Sequence, residues 1–168
     1  VSKHSYNGYA AYYYGKEKPT KGANLFTADR SGSLNKVALY VYNNTDVTIS
    51  IYKDTGNGIP DTGKSLSTVK KHYDNEGYYT VNLTSPVKVS KGDKFFVVAD
   101  YSNNCPLELV SLTSGDAEQS YVYLDGKWMD TKDDVTVNNV AIDAIITGTH
   151  SYGANQHKDP TCTTVGYD

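Results

Sequence analysis

Short apolar runs separated by polar clusters occupy most of the chain, and within the runs the alternation has the two-residue period of a strand. Between Leu34 and Tyr42, Val37, Leu39 and Val41 fall on one face and Ala38, Tyr40 and Tyr42 on the other, because successive strand side chains point oppositely. Val47 to Lys53 repeats the pattern, with Val47, Ile49 and Ile51 inward and Thr48, Ser50 and Tyr52 outward. The turn signal Asn43-Asn44-Thr45-Asp46 between them predicts an antiparallel hairpin. Tyr78 to Leu83 reads as another short strand, and Pro86 to Val89 leads into the turn that follows. After the turn Ser90-Lys91-Gly92-Asp93, Lys94 to Asp100 is apolar at almost every position. Phe95, Val97 and Ala99 alternate there with Phe96 and Val98, which predicts a central strand covered on both faces.

Leu107 to Leu112, Ser120 to Leu124 and Asn139 to Thr147 supply the remaining strands, and in the last Val140, Ile142, Ala144 and Ile146 are set toward the core. Asp125-Gly126 before Lys127-Trp128-Met129 is a compact hairpin signal. No segment carries the period of an amphipathic helix of ordinary length. Many short strands with turn signals at this spacing predict an all-β sandwich or barrel over residues 23–148. Residues 1–22 contain Tyr6, Tyr9, Tyr12, Tyr13 and Tyr14 without a sustained period and read as an irregular lead-in. Residues 149–168 lose the apolar pattern and read as a polar tail or linker.

Composition narrows the function more than the fold. A chain of 168 residues suffices for one domain, which at this size buries roughly 70% of its unfolded surface and needs no staple. The net charge of -3, with 16 basic and 19 acidic residues dispersed through the chain, offers no field to gather nucleic acid. No apolar run reaches the roughly 18 residues of a membrane span, so no membrane insertion is expected. Val1 opens directly into polar sequence, which reads as an excised or processed piece whose targeting signal lay upstream. Tyr supplies 16 residues against 3 Phe and 1 Trp, so most aromatic area carries a hydroxyl suited to sheet surfaces and binding faces.

The ordered segments Gly22-Ala23-Asn24-Leu25-Phe26-Thr27-Ala28, Val47-Thr48-Ile49-Ser50-Ile51-Tyr52, Gly77-Tyr78-Tyr79-Thr80-Val81-Asn82-Leu83 and Gly92-Asp93-Lys94-Phe95-Phe96-Val97-Val98 carry a resemblance. With Glu108, Gln119-Ser120-Tyr121, Asp125-Gly126-Lys127-Trp128 and Asn139-Val140-Ala141-Ile142-Asp143-Ala144, the chain resembles the lectin-like domain of bacterial and archaeal surface proteins. That domain is found beside papain-like cysteine peptidases and in adhesin-like proteins. The resemblance covers residues 22–148 and implies a jelly roll, an extracellular or cell-surface location and a structural calcium ion. It implies Asn24, Glu108 and Glu118 as the oxygen ligands of that ion. Asp143 departs from the pattern, since the family position is associated with a basic residue.

The aromatic candidates for ligand binding are Tyr40, Tyr42 and Tyr52, which share the outward face of the predicted hairpin, and Trp128 beside the Asp125-Gly126 turn. Each has a bland reading: a second sheet or the Tyr-rich lead-in covers the tyrosines, and Trp128 caps the core. Asp54, Asn57 and Asp61 lie in a long Gly-rich excursion that lacks EF-hand spacing and reads as a solvated turn. Cys105 and Cys162 either pair across the tail or stay apart, which spacing alone does not decide. His4, His72, His150 and His157 have no metal-ligand spacing and read as surface residues.

Catalytic signals are absent. Cys105 precedes Pro106 and a strand and lacks the helix N-terminus that activates a papain-like nucleophile. There is neither a Gly-x-Ser-x-Gly elbow nor a phosphate-cradling loop. The chain is therefore expected to be a non-catalytic binding module that targets a peptidase or adhesin to carbohydrate or cell-wall polymer. The alternative is a structural spacer supporting an adjacent cysteine peptidase.

Overall fold

The computed structural model describes residues 2–4, 10–11, 19–108, 120–131 and 139–148. Thirteen strands are described: β1 (Ser2–His4), β2 (Ala10–Ala11), β3 (Lys21–Thr27), β4 (Gly32–Val41), β5 (Thr45–Lys53), β6 (Ser67–Tyr73), β7 (Gly77–Val89), β8 (Lys94–Tyr101), β9 (Leu107–Glu108), β10 (Ser120–Leu124), β11 (Lys127–Asp130), β12 (Asn139–Val140) and β13 (Ile142–Gly148). A four-stranded sheet in the order β1-β13-β4-β7 packs against a six-stranded sheet in the order β11-β10-β3-β8-β5-β6, and a small third sheet runs β12-β9-β2. Every pairing described is antiparallel. This is the sandwich of the two architectures that the alternation allows, and it is consistent with the jelly-roll type that the resemblance implies.

The core fills the space between the two large sheets. Val37, Leu39 and Val41 of β4 and Val81 and Leu83 of β7 face Val47, Ile49 and Ile51 of β5, Phe26 of β3 and Phe95, Val97 and Ala99 of β8. Burying a side chain of this kind stabilises the fold by about 1.5–3 kcal/mol. The predicted inward residues are thus the observed ones.

The predicted pairing of 34–42 with 47–53 is not. β4 lies between β13 and β7, whereas β5 lies between β8 and β6 in the opposite sheet. The turn at Asn43-Asn44, where Asn44 takes φ 49°, carries the chain across the sandwich. In a hairpin the outward side chains of both strands would share one face. At a corner between sheets the inward faces meet and the outward faces point apart, so Tyr40 and Tyr42 lie on one outside of the molecule and Tyr52 on the other.

Three further differences have local causes. β6 was not anticipated, because its sequence Ser67-Thr68-Val69-Lys70-Lys71-His72-Tyr73 is mostly polar, as suits an edge strand with charged positions. The strand expected at 78–83 runs on through 86–89 as β7, whose register against β4 shifts where Leu34 pairs Val87 and Lys36 pairs Asn82. Pro86 sits in that irregularity, where its missing N–H interrupts no regular ladder. Finally, Ser2–His4 of the expected lead-in pair with Ala144–Ile146 of β13, so the sandwich begins well before residue 23.

At the edge of the six-stranded sheet, His72 is held between two carboxylates, with Nδ1 2.9 Å from Asp46 and Nε2 3.0 Å from Asp74. Both ring nitrogens donate only in the imidazolium form, so the Asp46 and then the Asp74 hydrogen bond raise its pKa above the usual histidine value. Its folded pKa exceeds the unfolded one of about 6.5, so its stabilising effect is complete below that pH and lost as pH rises through the folded value. Following the His72 ring protons by NMR is expected to give a midpoint above that of the Asp46→Asn variant. Equal midpoints would show that the clamp is inert in solution.

Candidate functional site

The outer face of the six-stranded sheet carries a second, smaller apolar cluster. Registers place Ala23 and Leu25 of β3 beside Val98 and Phe96 of β8, Tyr52 of β5 beside Phe96, and Tyr121 of β10 beside Ala23. Ala23, Phe96, Val98 and Tyr121 are buried, with Leu25, Tyr52 and Trp128 packed against them. The Phe96 and Tyr121 rings meet edge to face at 5.5 Å. β8 is therefore covered on both faces, as its uninterrupted apolar run requires. On this side the cover includes neighbouring aromatics, and the excursion between β5 and β6 bonds to β3 and β11.

That excursion reaches the sheet through one carboxylate. Asp61 Oδ2 accepts from Lys21 Nζ at 3.1 Å and Asp61 Oδ1 accepts from Trp128 Nε1 at 2.9 Å. Lys21 Nζ also lies 4.8 Å from the Tyr123 ring centroid and 5.2 Å from that of Trp128. Tyr123 and Trp128, opposite one another across the β10–β11 hairpin, meet edge to face at 5.3 Å. The hairpin closes at Asp125-Gly126 with φ of 50° and 77°, the left-handed pair that its turn signal anticipates. Asp61 is pulled upward by burial, but the Lys21 hydrogen bond, the Trp128 N–H and the Lys21 charge outweigh it and hold the carboxyl below the usual value.

Because the folded Asp61 pKa is depressed, its contribution is present above the unfolded value of about 3.9 and lost as pH falls through the folded one. The chain has a single Trp, so its fluorescence reads this bond directly. Acid titration is expected to change Trp128 emission below pH ~4 in a step that Asp61→Asn lacks. An unchanged step in the variant would assign it to another group.

The remaining oxygens of the excursion serve its own turns. Asp54 Oδ1 accepts from Gly56 N at 2.9 Å, Asn57 Oδ1 accepts from Ile59 N at 2.9 Å, and Asn57 Nδ2 donates to Thr62 Oγ1 at 2.9 Å. The Asp54 and Asn57 carboxyl and amide oxygens thus make Asx-type turn bonds within the excursion.

Of the aromatic candidates, Tyr52 and Trp128 share the apolar cluster of this face, whereas Tyr40 and Tyr42 form their own edge-to-face pair at 5.9 Å on the opposite sheet. Tyr40 donates to Glu76 Oε2 at 3.3 Å. Neighbouring Tyr78 donates to Asp143, which is buried opposite Ala38 in the place where a basic residue was expected. Lys21 was missed by the sequence reading. Its partners Asp61 and Trp128 lie 40 residues away from it and 67 from each other respectively, so no local pattern announces the cluster.

Of the expected calcium ligands, only Asn24 has a described side chain. Asn24 is fully buried on the inner face of β3, where Nδ2 donates to the Val140 and Ile142 carbonyls at 2.8 and 2.9 Å and Oδ1 accepts from Ser120 Oγ at 2.6 Å. Turning the amide over would set its oxygen against two carbonyls, so these hydrogen bonds fix its orientation as a bridge between strands. Glu108 is described only through its backbone pairing with Asn139 and Ala10, and Glu118 lies outside the described residues, as do His150, His157 and Cys162. Among the described residues no cluster of His, Cys, Asp or Glu is arranged to hold a metal. Burial, and then the charge of Asp100, push the Cys105 thiol far above its ordinary pKa, which disfavours the thiolate a nucleophile needs.

Two antiparallel sheets packed face to face, one of them with an aromatic outer face, define an all-β sandwich domain. The chain belongs to the lectin-like domain family, whose sequence model matches residues 2–146. It is thus the lectin-like, non-catalytic kind of domain. No curated protein sequence matches it. Among solved structures it is similar to the cysteine protease and lectin-like domains of Cwp84, a surface layer associated protein of Clostridium difficile. There the TM-score is 0.61 at 19% identity, over 77% of this chain and 32% of that one. A second structure of clostridial Cwp84, after propeptide cleavage, gives a TM-score of 0.63 at 18% identity, over 89% of this chain and 38% of that one. The chain therefore spans about a third of the length of each. No helix among the described residues is long and apolar enough to cross a membrane.

Proposed function

We propose that this domain is a non-catalytic module of a cell-surface protein that attaches its parent, a peptidase or an adhesin, to carbohydrate or cell-wall polymer. The observation that carries the reading is the outer face of the six-stranded sheet. Tyr123 and Trp128 stand there half-exposed and in contact, beside the charged groups of Lys21 and Asp61, and Tyr52 lies half-exposed on the same face. Aromatic faces with polar groups at their margin suit a sugar, whose rings present apolar C–H faces and hydroxyl edges. The surface-layer association of Cwp84, and its protease domain, support the location and the neighbour. Attachment acts through effective concentration, so individually weak contacts suffice once the parent is tethered.

The second reading, a spacer that holds a neighbouring peptidase, is favoured by one observation: the Trp128 N–H and Lys21 ammonium already have an internal partner in Asp61. Titrating the domain with cell-wall polysaccharides while following Trp128 fluorescence separates the two. Saturable quenching by one polymer supports attachment through this face. Binding without any change at Trp128 would move the site elsewhere, and no binding would leave the spacer.

A further inference from the structure

We propose that Lys21 and Trp128 form a receptor for the carboxylate of an acidic sugar, and that Asp61 is its built-in occupant. The inference rests on the attachment reading and names the ligand class of that same face. Two donors from different strands converge on the two oxygens of one planar group: Lys21 Nζ at 3.1 Å from Oδ2 and Trp128 Nε1 at 2.9 Å from Oδ1. A carboxylate satisfies both at once, and the charge of Lys21 makes one bond charge-assisted. A hydroxyl offers one oxygen and no charge. The chain residue before Asp61 is Pro60, itself buried, so the excursion delivers a saturated ring followed by a carboxylate, the same two elements that a uronic acid joins.

The excursion is built to be displaced as a unit. Apart from Ser65 at its base, which bonds Thr68, its side-chain hydrogen bonds described here either close within it or run through Asp61. Gly56, Gly58 and Gly63 take positive φ with open space around each, so the backbone near both ends turns without side-chain obstruction. Two large apolar side chains at its surface, Ile59 and Leu66, are 46% and 50% exposed. An external carboxylate thus competes with a tethered internal one, and its affinity is limited by that competition.

Removing the occupant is expected to open the receptor. The test titrates the full chain, Asp61→Asn, Asp61→Ala and Lys21→Met with oligogalacturonate and with neutral galactose oligomers of equal length, following Trp128 fluorescence. Thermal melts confirm that each variant is folded. The expected result is preference for the acidic oligomer, about tenfold tighter binding by both Asp61 variants, and loss of that preference in Lys21→Met. Equal affinity of folded wild type and Asp61 variants for the acidic oligomer would overturn the proposal. So would equal binding of the acidic and neutral oligomers, although polymer binding that quenches Trp128 would then leave the attachment reading standing. Failure of every polymer to bind the wild type and both Asp61 variants would remove the attachment reading, and this proposal with it.

Discussion

Asn24→Ala is expected to destabilise the domain by about 3 kcal/mol, since an unsatisfied buried polar group costs about 1–3 kcal/mol and Asn24 serves three. Its amide joins β3 of the six-stranded sheet to the Val140 carbonyl of the small third sheet and the Ile142 carbonyl of the four-stranded one, and its oxygen takes the Ser120 hydroxyl. Ser120 Oγ in turn accepts from Val140 N at 3.3 Å, so the side chain closes a network across the end of the sandwich. For a domain of this size that loss lowers Tm by roughly 6–12 °C. Asn24→Asp is expected to do worse at neutral pH, because a carboxylate would face two carbonyl oxygens with no proton to donate. Its deficit should shrink as pH falls and the acid is protonated. Ser120→Ala removes one partner and is expected to cost about 1–2 kcal/mol. Thermal unfolding of the three variants checks the order. An Asn24→Ala variant as stable as Ser120→Ala would show that the carbonyls find other donors and that the bridge is dispensable.

Gly22→Ala is expected to cost about 1–3 kcal/mol through overpacking, and Cys105→Ala to restore much of it. A Cβ on Gly22 would lie 2.7 Å from Cys105 Sγ and 3.0 Å from both methyl carbons of Val140. Cys105 has little freedom to retreat, since its N–H bonds Pro19 O at 2.7 Å and its side chain is buried. Taken alone, Cys105→Ala leaves a small void and costs on the order of 1 kcal/mol. In the double variant the new methyl occupies the space the sulfur vacates, so the two effects should fall short of their sum by at least about 1 kcal/mol, within the coupling found for residues in contact. Strict additivity in denaturant unfolding would mean that β3 shifts to admit the methyl and that the close approach is not a constraint.

Much of the fold was legible because burial imposes its period on the chain wherever one face of a strand meets the core. Val37, Leu39 and Val41, and Val47, Ile49 and Ile51, were assigned inward from alternation alone and are fully buried. The doubly apolar run Phe95 to Ala99 announced a strand covered on both sides, and Asp125-Gly126 announced its hairpin through the φ values that turn demands. β6 escaped because an edge strand with one solvent face needs few apolar residues, and the continuity of β7 escaped because Pro86 reads as a terminator.

The candidate site was legible only in fragments. Trp128 and Asp61 were each noticed, the first as a loop-borne aromatic and the second as part of a turn, but nothing local tied them to one another or to Lys21. Asn24 was read as a metal ligand because an amide in an oxygen-rich family segment suits a cation. Its burial among three hydrogen-bond partners appears only once β3, β10, β12 and β13 are brought together.

By itself, then, the sequence determined which residues face inward, where the chain turns and that the result is an all-β sandwich or barrel, since these follow from alternation and from the φ preferences of Gly, Asn and Asp. Tertiary structure alone decided which sheet each strand joins. A turn such as Asn43-Asn44 closes a hairpin or crosses to the opposite layer with the same inward residues on either side, and only the packing of the layers distinguishes the two. That choice separated Tyr52 from Tyr40 and Tyr42 and placed it on the face where Lys21, Asp61 and Trp128 meet.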